Sequence, residues 1–172
     1  MLLRAVKITS PGSPYSPGRL IVNEMQILDA SGVDIATGGT PFYSRYDYYW
    51  DPNQAFDKSI SQSSLFYGND PTESYLGYIL QSPTEVTAIK LYTDPKYASY
   101  QLHHGQVLVS LDTQNGNDGT WDLILDDVTL VEGGTWHTLV LVPRLVSRDV
   151  FHPQPIPAIL NALPASLNRG FW

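Results

Sequence analysis

Gln106-Val107-Leu108-Val109-Ser110-Leu111 runs into Asp112-Thr113-Gln114-Asn115-Gly116-Asn117-Asp118-Gly119 and then into Trp121-Asp122-Leu123-Ile124-Leu125. The first and last blocks are dense in β-branched, aliphatic and aromatic side chains, and the middle block is almost entirely turn formers, so the stretch reads as strand, turn, strand. The same punctuation recurs outward. Thr135 to Val142 follows as a strand, and Tyr75 to Leu80 and Thr84 to Tyr92 precede, each bounded by Gly, Asn, Asp or Pro clusters. Nearer the start, Arg4 to Ile8 alternates as a half-buried strand does, Ser10 to Gly18 is a Pro- and Gly-dense loop, and Leu20 to Leu28 is a strand closed by Asp29-Ala30-Ser31-Gly32. Short strands at this spacing predict an antiparallel β-sandwich.

Composition agrees and narrows the function. A chain of 172 residues and 19.1 kDa holds one well-buried core. Only 16% of residues are charged while Tyr, Gly and Pro are plentiful, which suits strands and turns over helices. The net charge of −7 lacks the basic stripe that a phosphate backbone requires, so nucleic acid is not an expected partner. No apolar run approaches a bilayer span, and Met1-Leu2-Leu3-Arg4 is too short for the core of a secretion signal, so neither membrane insertion nor a signal peptide is expected. Without cysteine there is neither a disulfide framework nor a thiolate metal site, which fits folding in a bacterial cytoplasm.

Character changes after Val142. Residues 143–172 contain Pro143, Pro153, Pro155, Pro157 and Pro164, and Pro cannot donate to a central ladder. Arg144, Arg148 and Arg169 against Asp149 give this segment +2, leaving −7 − 2 = −9 for residues 1–142. Pro157 is placed to open a short helix that Pro164 stops. Phe151, Ile156, Ile159, Leu160, Leu163, Leu167, Phe171 and Trp172 are too many large apolar groups for a free tail. The chain is therefore read as a sandwich over 1–142 and an assembly arm over 143–172 that packs on a neighbouring subunit or on its own sandwich.

A second feature points to binding. Phe42-Tyr43-Ser44-Arg45-Tyr46-Asp47-Tyr48-Tyr49-Trp50 concentrates flat, half-polar side chains in a segment that runs into the turn formers Asp51-Pro52-Asn53. Such rings offer contact area at low entropic cost. Tyr46, Tyr48, Tyr49 and Trp50 are the expected stacking surfaces, with Phe66 and Tyr67 on a second loop, and Arg45 and Asp47 are suited to fixing a sugar's orientation. The competing reading tucks part of the set under the sandwich as a satellite cluster.

Other patterns carry less. Asp112 to Gly119 lacks the alternating oxygen ligands and terminal Glu of a calcium loop and reads as a hairpin turn. His103 and His104, adjacent at a strand entry, are expected to face opposite ways. No nucleophile elbow, zinc-protease helix or phosphate-cradling loop is present, and Asp126-Asp127 alone does not define a glycosidase pair.

The order Val6-Lys7-Ile8, Asn23 to Asp29, Gly32, Ala55-Phe56-Asp57, Leu76-Gly77-Tyr78, Ile89-Lys90-Leu91, Val109-Ser110-Leu111-Asp112 and Trp121 resembles the discoidin, or coagulation-factor C-type, domains. The likeness is nearest to their cysteine-free versions in bacteriophage and bacterial proteins and spans about residues 4 to 142. It implies an antiparallel, galactose-binding-like jelly roll, end loops that bind carbohydrate or lipid head groups, no catalysis, and often a structural calcium. The matching positions for that ion are Glu24 and Asp57, but Lys58, Gln62 and Ser64 depart from the pattern, and the pair can equally cap the loop by accepting backbone N–H bonds.

The resulting expectation is a non-enzymatic virion protein of tail, baseplate or capsid surface, made in the host cytoplasm. It would bind host-surface glycan and contact other virion proteins or copies of itself through its arm. A free-standing carbohydrate-binding module and a purely architectural component are the alternatives.

Overall fold

The computed structural model describes residues 1–10, 12–13, 16–17, 19–46, 51–67, 74–96, 101–130 and 132–142, with the backbone alone at residues 12, 13, 16, 17, 46 and 67. In chain order the strands are β1 (Leu2–Ser10), β2 (Gly12–Ser13), β3 (Ser16–Pro17), β4 (Arg19–Val22), β5 (Glu24–Leu28), β6 (Thr40–Tyr43) and β7 (Arg45–Tyr46). After a 3-10 turn over Pro52–Phe56 come β8 (Ser64–Tyr67), β9 (Ser74–Glu85), β10 (Ala88–Tyr92), β11 (Gly105–Ser110), β12 (Asp122–Val128) and β13 (Trp136–Val140). Among the described residues the fold is all-β apart from that 3-10 turn, and its strand pairs are antiparallel.

The largest sheet has the order β12-β11-β1-β9-β6, and two three-stranded sheets follow the orders β13-β10-β5 and β4-β8-β7. Alternation along β1 sends Val6 and Ile8 inward, and the register shift between Leu3 and Ala5 returns Leu3 to the same side, so that all three share one buried cluster with Met25 and Ile27 of β5, Leu76, Tyr78 and Leu80 of β9, and Ile89 and Leu91 of β10. Inward residues of separate sheets thus close over a common core, as in a β-sandwich. The Asp112–Gly119 segment connects the paired strands β11 and β12, the place of a hairpin turn.

Three expectations are corrected. Thr84 to Tyr92 is divided, with Thr84 and Glu85 closing β9 and Ala88 opening β10. Leu20 to Leu28 is not one strand: β4 pairs with β8 and β5 with β10, and the chain bends between them at Asn23. Asn23 holds the bend by donating its backbone N–H to the Tyr92 carbonyl at 2.9 Å and its Nδ2 to the Ile60 carbonyl at 3.0 Å. The Ser10–Gly18 loop, for its part, contains the small β2-β3 pair.

A second, smaller cluster lies on the outer face of the large sheet, built on Ala5, Phe42 and Ile79. Phe42 is opposite Gly77 in the β6-β9 register, and a Cβ at Gly77 would come within 2.2 Å of the ring. Gly116, from the β11-β12 connection, closes on the ring from elsewhere with φ of +85° and would also place a Cβ 2.2 Å from it. The ring therefore lies where two glycines leave room.

Gly32, at φ +77° with nothing within 4 Å of a Cβ, is the control for backbone strain alone. Gly32→Ala is expected to cost about 1 kcal/mol, and Gly116→Ala about 1–3 kcal/mol more because it must also displace Phe42. Urea unfolding of the two variants checks the difference, and equal losses would show that Phe42 yields freely.

Candidate functional site

Two candidate places stand out among the described residues, one aromatic and exposed, the other acidic and buried. The first is the outer face of the large sheet. Because Val6 and Ile8 point inward, Lys7 stands outward, and its register partner on β9 is Gly77, with Tyr75 two residues along the same face. The Lys7 ammonium lies 4.2 Å from the centre of the Trp121 ring and 5.8 Å from that of Tyr75, distances at which a cation is attracted to a ring. Phe42 packs beneath both, 5.8 Å from Trp121 and 6.3 Å from Tyr75.

The polar tips of these rings are held by the β11-β12 connection. Trp121 Nε1 donates to the Asp118 carbonyl at 3.1 Å, and the Tyr75 hydroxyl donates to Asn117 Oδ1 at 3.1 Å. The connection itself is braced by two carboxylates. Asp118 Oδ1 accepts from Thr113 Oγ1 at 2.7 Å and from the Gln114 and Asn115 N–H groups, and Asp112 Oδ1 accepts from Ser110 Oγ and the Thr120 N–H. Those bonds favour the ionised forms and hold both groups below the usual carboxylate range. Tyr75 and Trp121 are only partly buried, so the result is an aromatic face with fixed geometry.

Sequence reading missed this group. Lys7, Phe42, Tyr75 and Trp121 are far apart in the chain, and the only signal was an aromatic residue at each of three strand ends.

The second place is at Glu24. This residue opens β5 and is opposite Tyr92, which is opposite Trp136, so it belongs to the outer row of the β13-β10-β5 sheet. Residues 57–60 fold over it and leave it 1% exposed. Its Oε2 accepts the Lys58 N–H at 3.1 Å, made possible by the left-handed backbone of Lys58 at φ 67°, while Asp57 Oδ1 accepts the Ser59 N–H at 2.8 Å. Glu24 Oε1 and the neighbouring Asn23 Oδ1 are buried without a partner. Among the described residues no ion pair involves Lys58, so it serves Glu24 through its backbone and not its ammonium.

Burial, and after it the Asp57 charge, pushes the Glu24 carboxyl up from 4.5 to about 8. A buried acid in that state either keeps its proton or takes a cation. The free oxygens of Glu24 and Asn23, with exposed Asp57 alongside, are the hard donors that calcium prefers. Among the described residues no group of three or more His, Cys, Asp or Glu is gathered for a metal, so main-chain carbonyls would have to complete the shell.

The remaining expected site residues divide in three. Arg45 is exposed on β7. Phe66 is corrected: it is on a strand, not a loop, and is 0% exposed. Its strand β8 is the middle one of the β4-β8-β7 sheet, and Phe66 is opposite Leu20, so it faces the main core beside Tyr43 and offers no free ring. Asp47, Tyr48, Tyr49 and Trp50, the side chains of Tyr46 and Tyr67, and the arm residues Phe151, Ile156, Ile159, Leu160, Leu163, Leu167, Phe171 and Trp172 lie outside the described residues.

His103 and His104 also depart from expectation. Their rings are 4.2 Å apart, edge to face, because they precede β11 and His104 is left-handed at φ 51°. His104 Nδ1 bonds Asp127, itself left-handed at φ 57°.

The Glu24 geometry has a measurable consequence. The unfolded chain releases this proton near 4.5 and the folded chain near 8, so stability should fall as pH rises through that window, by at most about 5 kcal/mol. With chelator present, Tm is expected to decline from pH 5 to pH 8, and Glu24→Gln should flatten the decline. If calcium binds there, adding it at pH 8 raises Tm for the natural chain and not for Glu24→Gln. Identical pH profiles with and without the substitution would show that Glu24 titrates normally.

No helix among the described residues is long and apolar enough to cross a membrane. No protein family, curated protein or solved structure matches this chain.

Proposed function

We propose that this protein is a non-enzymatic binding and assembly module. In this reading a galactose-binding-like jelly roll presents aromatic rings to a glycan or cell surface, and residues 143–172 anchor it to neighbouring subunits or other virion proteins in a tail, baseplate or capsid surface. The virion placement rests on the sequence resemblance alone.

One observation carries the binding half. Ser44, the residue just before the Arg45–Trp50 segment, is bonded three times to Tyr75: its N–H and its Oγ donate to the Tyr75 carbonyl at 3.0 and 3.3 Å, and its Oγ accepts the Tyr75 N–H at 3.1 Å. Ser44 thus ties the start of the aromatic segment to Tyr75, one ring of the Tyr75–Trp121–Lys7 face, and in this reading the face and the segment serve one ligand. Partly exposed rings with braced polar neighbours are the usual chemistry of sugar recognition: the ring stacks on C–H groups while nearby amides and charges take hydroxyls. Glu24, with a proton or a cation, would serve to hold the neighbouring turn and takes no part in chemistry.

The same face supports a second reading, a free-standing carbohydrate-binding module whose arm covers only its own sandwich. Glycan-array binding tests the shared claim. Trp50→Ala and Tyr48→Ala are each expected to weaken binding about tenfold or more with an unchanged Tm, and a protein that binds no glycan before substitution would refute the sugar-binding half. Particle incorporation separates the two readings: removing Val146 to Trp172 should abolish it if the arm is an anchor, and incorporation at normal levels would refute the anchoring role.

A further inference from the structure

Sheet edges are where extended backbones add, and proteins ordinarily blunt them with charge, proline, bulges or a covering segment. The five-stranded sheet and the β13-β10-β5 sheet have four edges between them, and three are blunted. The β12 edge is broken by register shifts and carries Asp122, Asp126 and Asp127. The β6 edge is four residues long and includes Pro41. The β5 edge is covered by its own continuation, since the Ile35 N–H donates to the Ile27 carbonyl at 2.8 Å, Asp34 Oδ1 accepts the Ile27 N–H at 3.1 Å, and Leu28 bridges to Asp34.

Among the described residues the fourth edge, β13, has none of these devices. From Thr135 to Val142 the chain holds no Asp, Glu, Lys, Arg or Pro. One side of the strand is engaged, through its ladder with β10 and the Leu141 N–H to Thr87 carbonyl bond at 2.8 Å. Among the described residues no strand pairs with its other side. Thr138, Val140 and Val142 project outward, with Val140 57% and Val142 64% exposed, while Leu139 and Leu141 anchor the strand to the core.

We propose that β13 is a strand-addition surface and that its partner is β13 of a second copy, paired antiparallel across a two-fold axis so that two three-stranded sheets become one of six strands. Two features select a second copy. An antiparallel pair of identical strands is self-complementary about a two-fold, so every free N–H and C=O on one strand meets its counterpart on the other. The body carries −9 of the formal charge, as counted above, and an uncharged strand is where two such bodies approach with least repulsion. The outward row Leu28–Ala88–Val140 would then continue across the axis into the partner's row.

This interface is independent of the glycan-binding reading. The full-length chain is expected to sediment as a dimer at micromolar concentration. Thr138→Lys combined with Val140→Lys, both at exposed positions, should weaken dimerisation at least tenfold, whereas Val33→Lys, exposed elsewhere, should leave it intact. Because the chain has no cysteine, Val140→Cys or Thr138→Cys should give an oxidised, cross-linked dimer, which decides the matter even if the lysine variant fails to fold. A full-length chain that stays monomeric, or a dimer that both lysines leave unchanged, overturns the proposal. The second result would mean association through residues 143–172, and a monomer that still binds glycan would sink this interface alone.

Discussion

β1 is hydrogen-bonded to β9 along one side and to β11 along the other, and its alternation decides what both faces of the largest sheet can be. Leu3, Val6 and Ile8 go to the core while Ala5, Lys7 and Thr9 go outward, so a one-residue slip would bury Lys7 and expose Val6 and Ile8. Burying a lysine among Met25, Ile89 and Leu91 would cost far more than any other pairing could return. Register is therefore pinned from the middle of the sheet, and the positions of Phe42, Tyr75 and Trp121 follow from it.

The outer aromatic face shows how a sandwich can build a second, shallow cluster without a second domain. Phe42 has space because Gly77 and Gly116 leave it. Above it, Lys7 supplies charge to Trp121 and Tyr75, and the connection braced by Asp112 and Asp118 fixes their polar tips. Each ring is thus held by contacts from three separate chain segments, which gives a rigid surface. Glu24 shows the opposite economy. The turn over 57–60 satisfies one of its oxygens and leaves the other bare, so the residue stores a demand for a proton or a cation beneath the surface.

Some features could be seen in the chain before any coordinates. Arg4 to Ile8, Tyr75 to Leu80, Gln106 to Leu111 and Trp121 to Leu125 announce themselves because β-rich blocks alternate with Gly, Asn and Asp clusters, and each lies inside an observed strand or within one residue of its end. Phe66 was misplaced because turn formers at Gly68-Asn69-Asp70-Pro71 follow it directly, and local composition then speaks for a loop. Nothing local reports that β8 is flanked on both sides and that Phe66 is opposite Leu20.

Sequence by itself determined the all-β class, the change of character after Val142 and the net charge of −7, since these depend on composition and on a side-chain period of two. Tertiary structure alone decided that the chain breaks at Asn23 into two sheets, that Lys7, Tyr75 and Trp121 meet, and that Glu24 is sealed with one oxygen unmatched. It also decided that β13, unlike β5, β6 and β12, is left as an unprotected edge among the described residues. The reason is physical: strand formation is written in neighbours along the chain, whereas pairing order, edges and burial are relations between segments tens of residues apart, and only the packed sheets settle them.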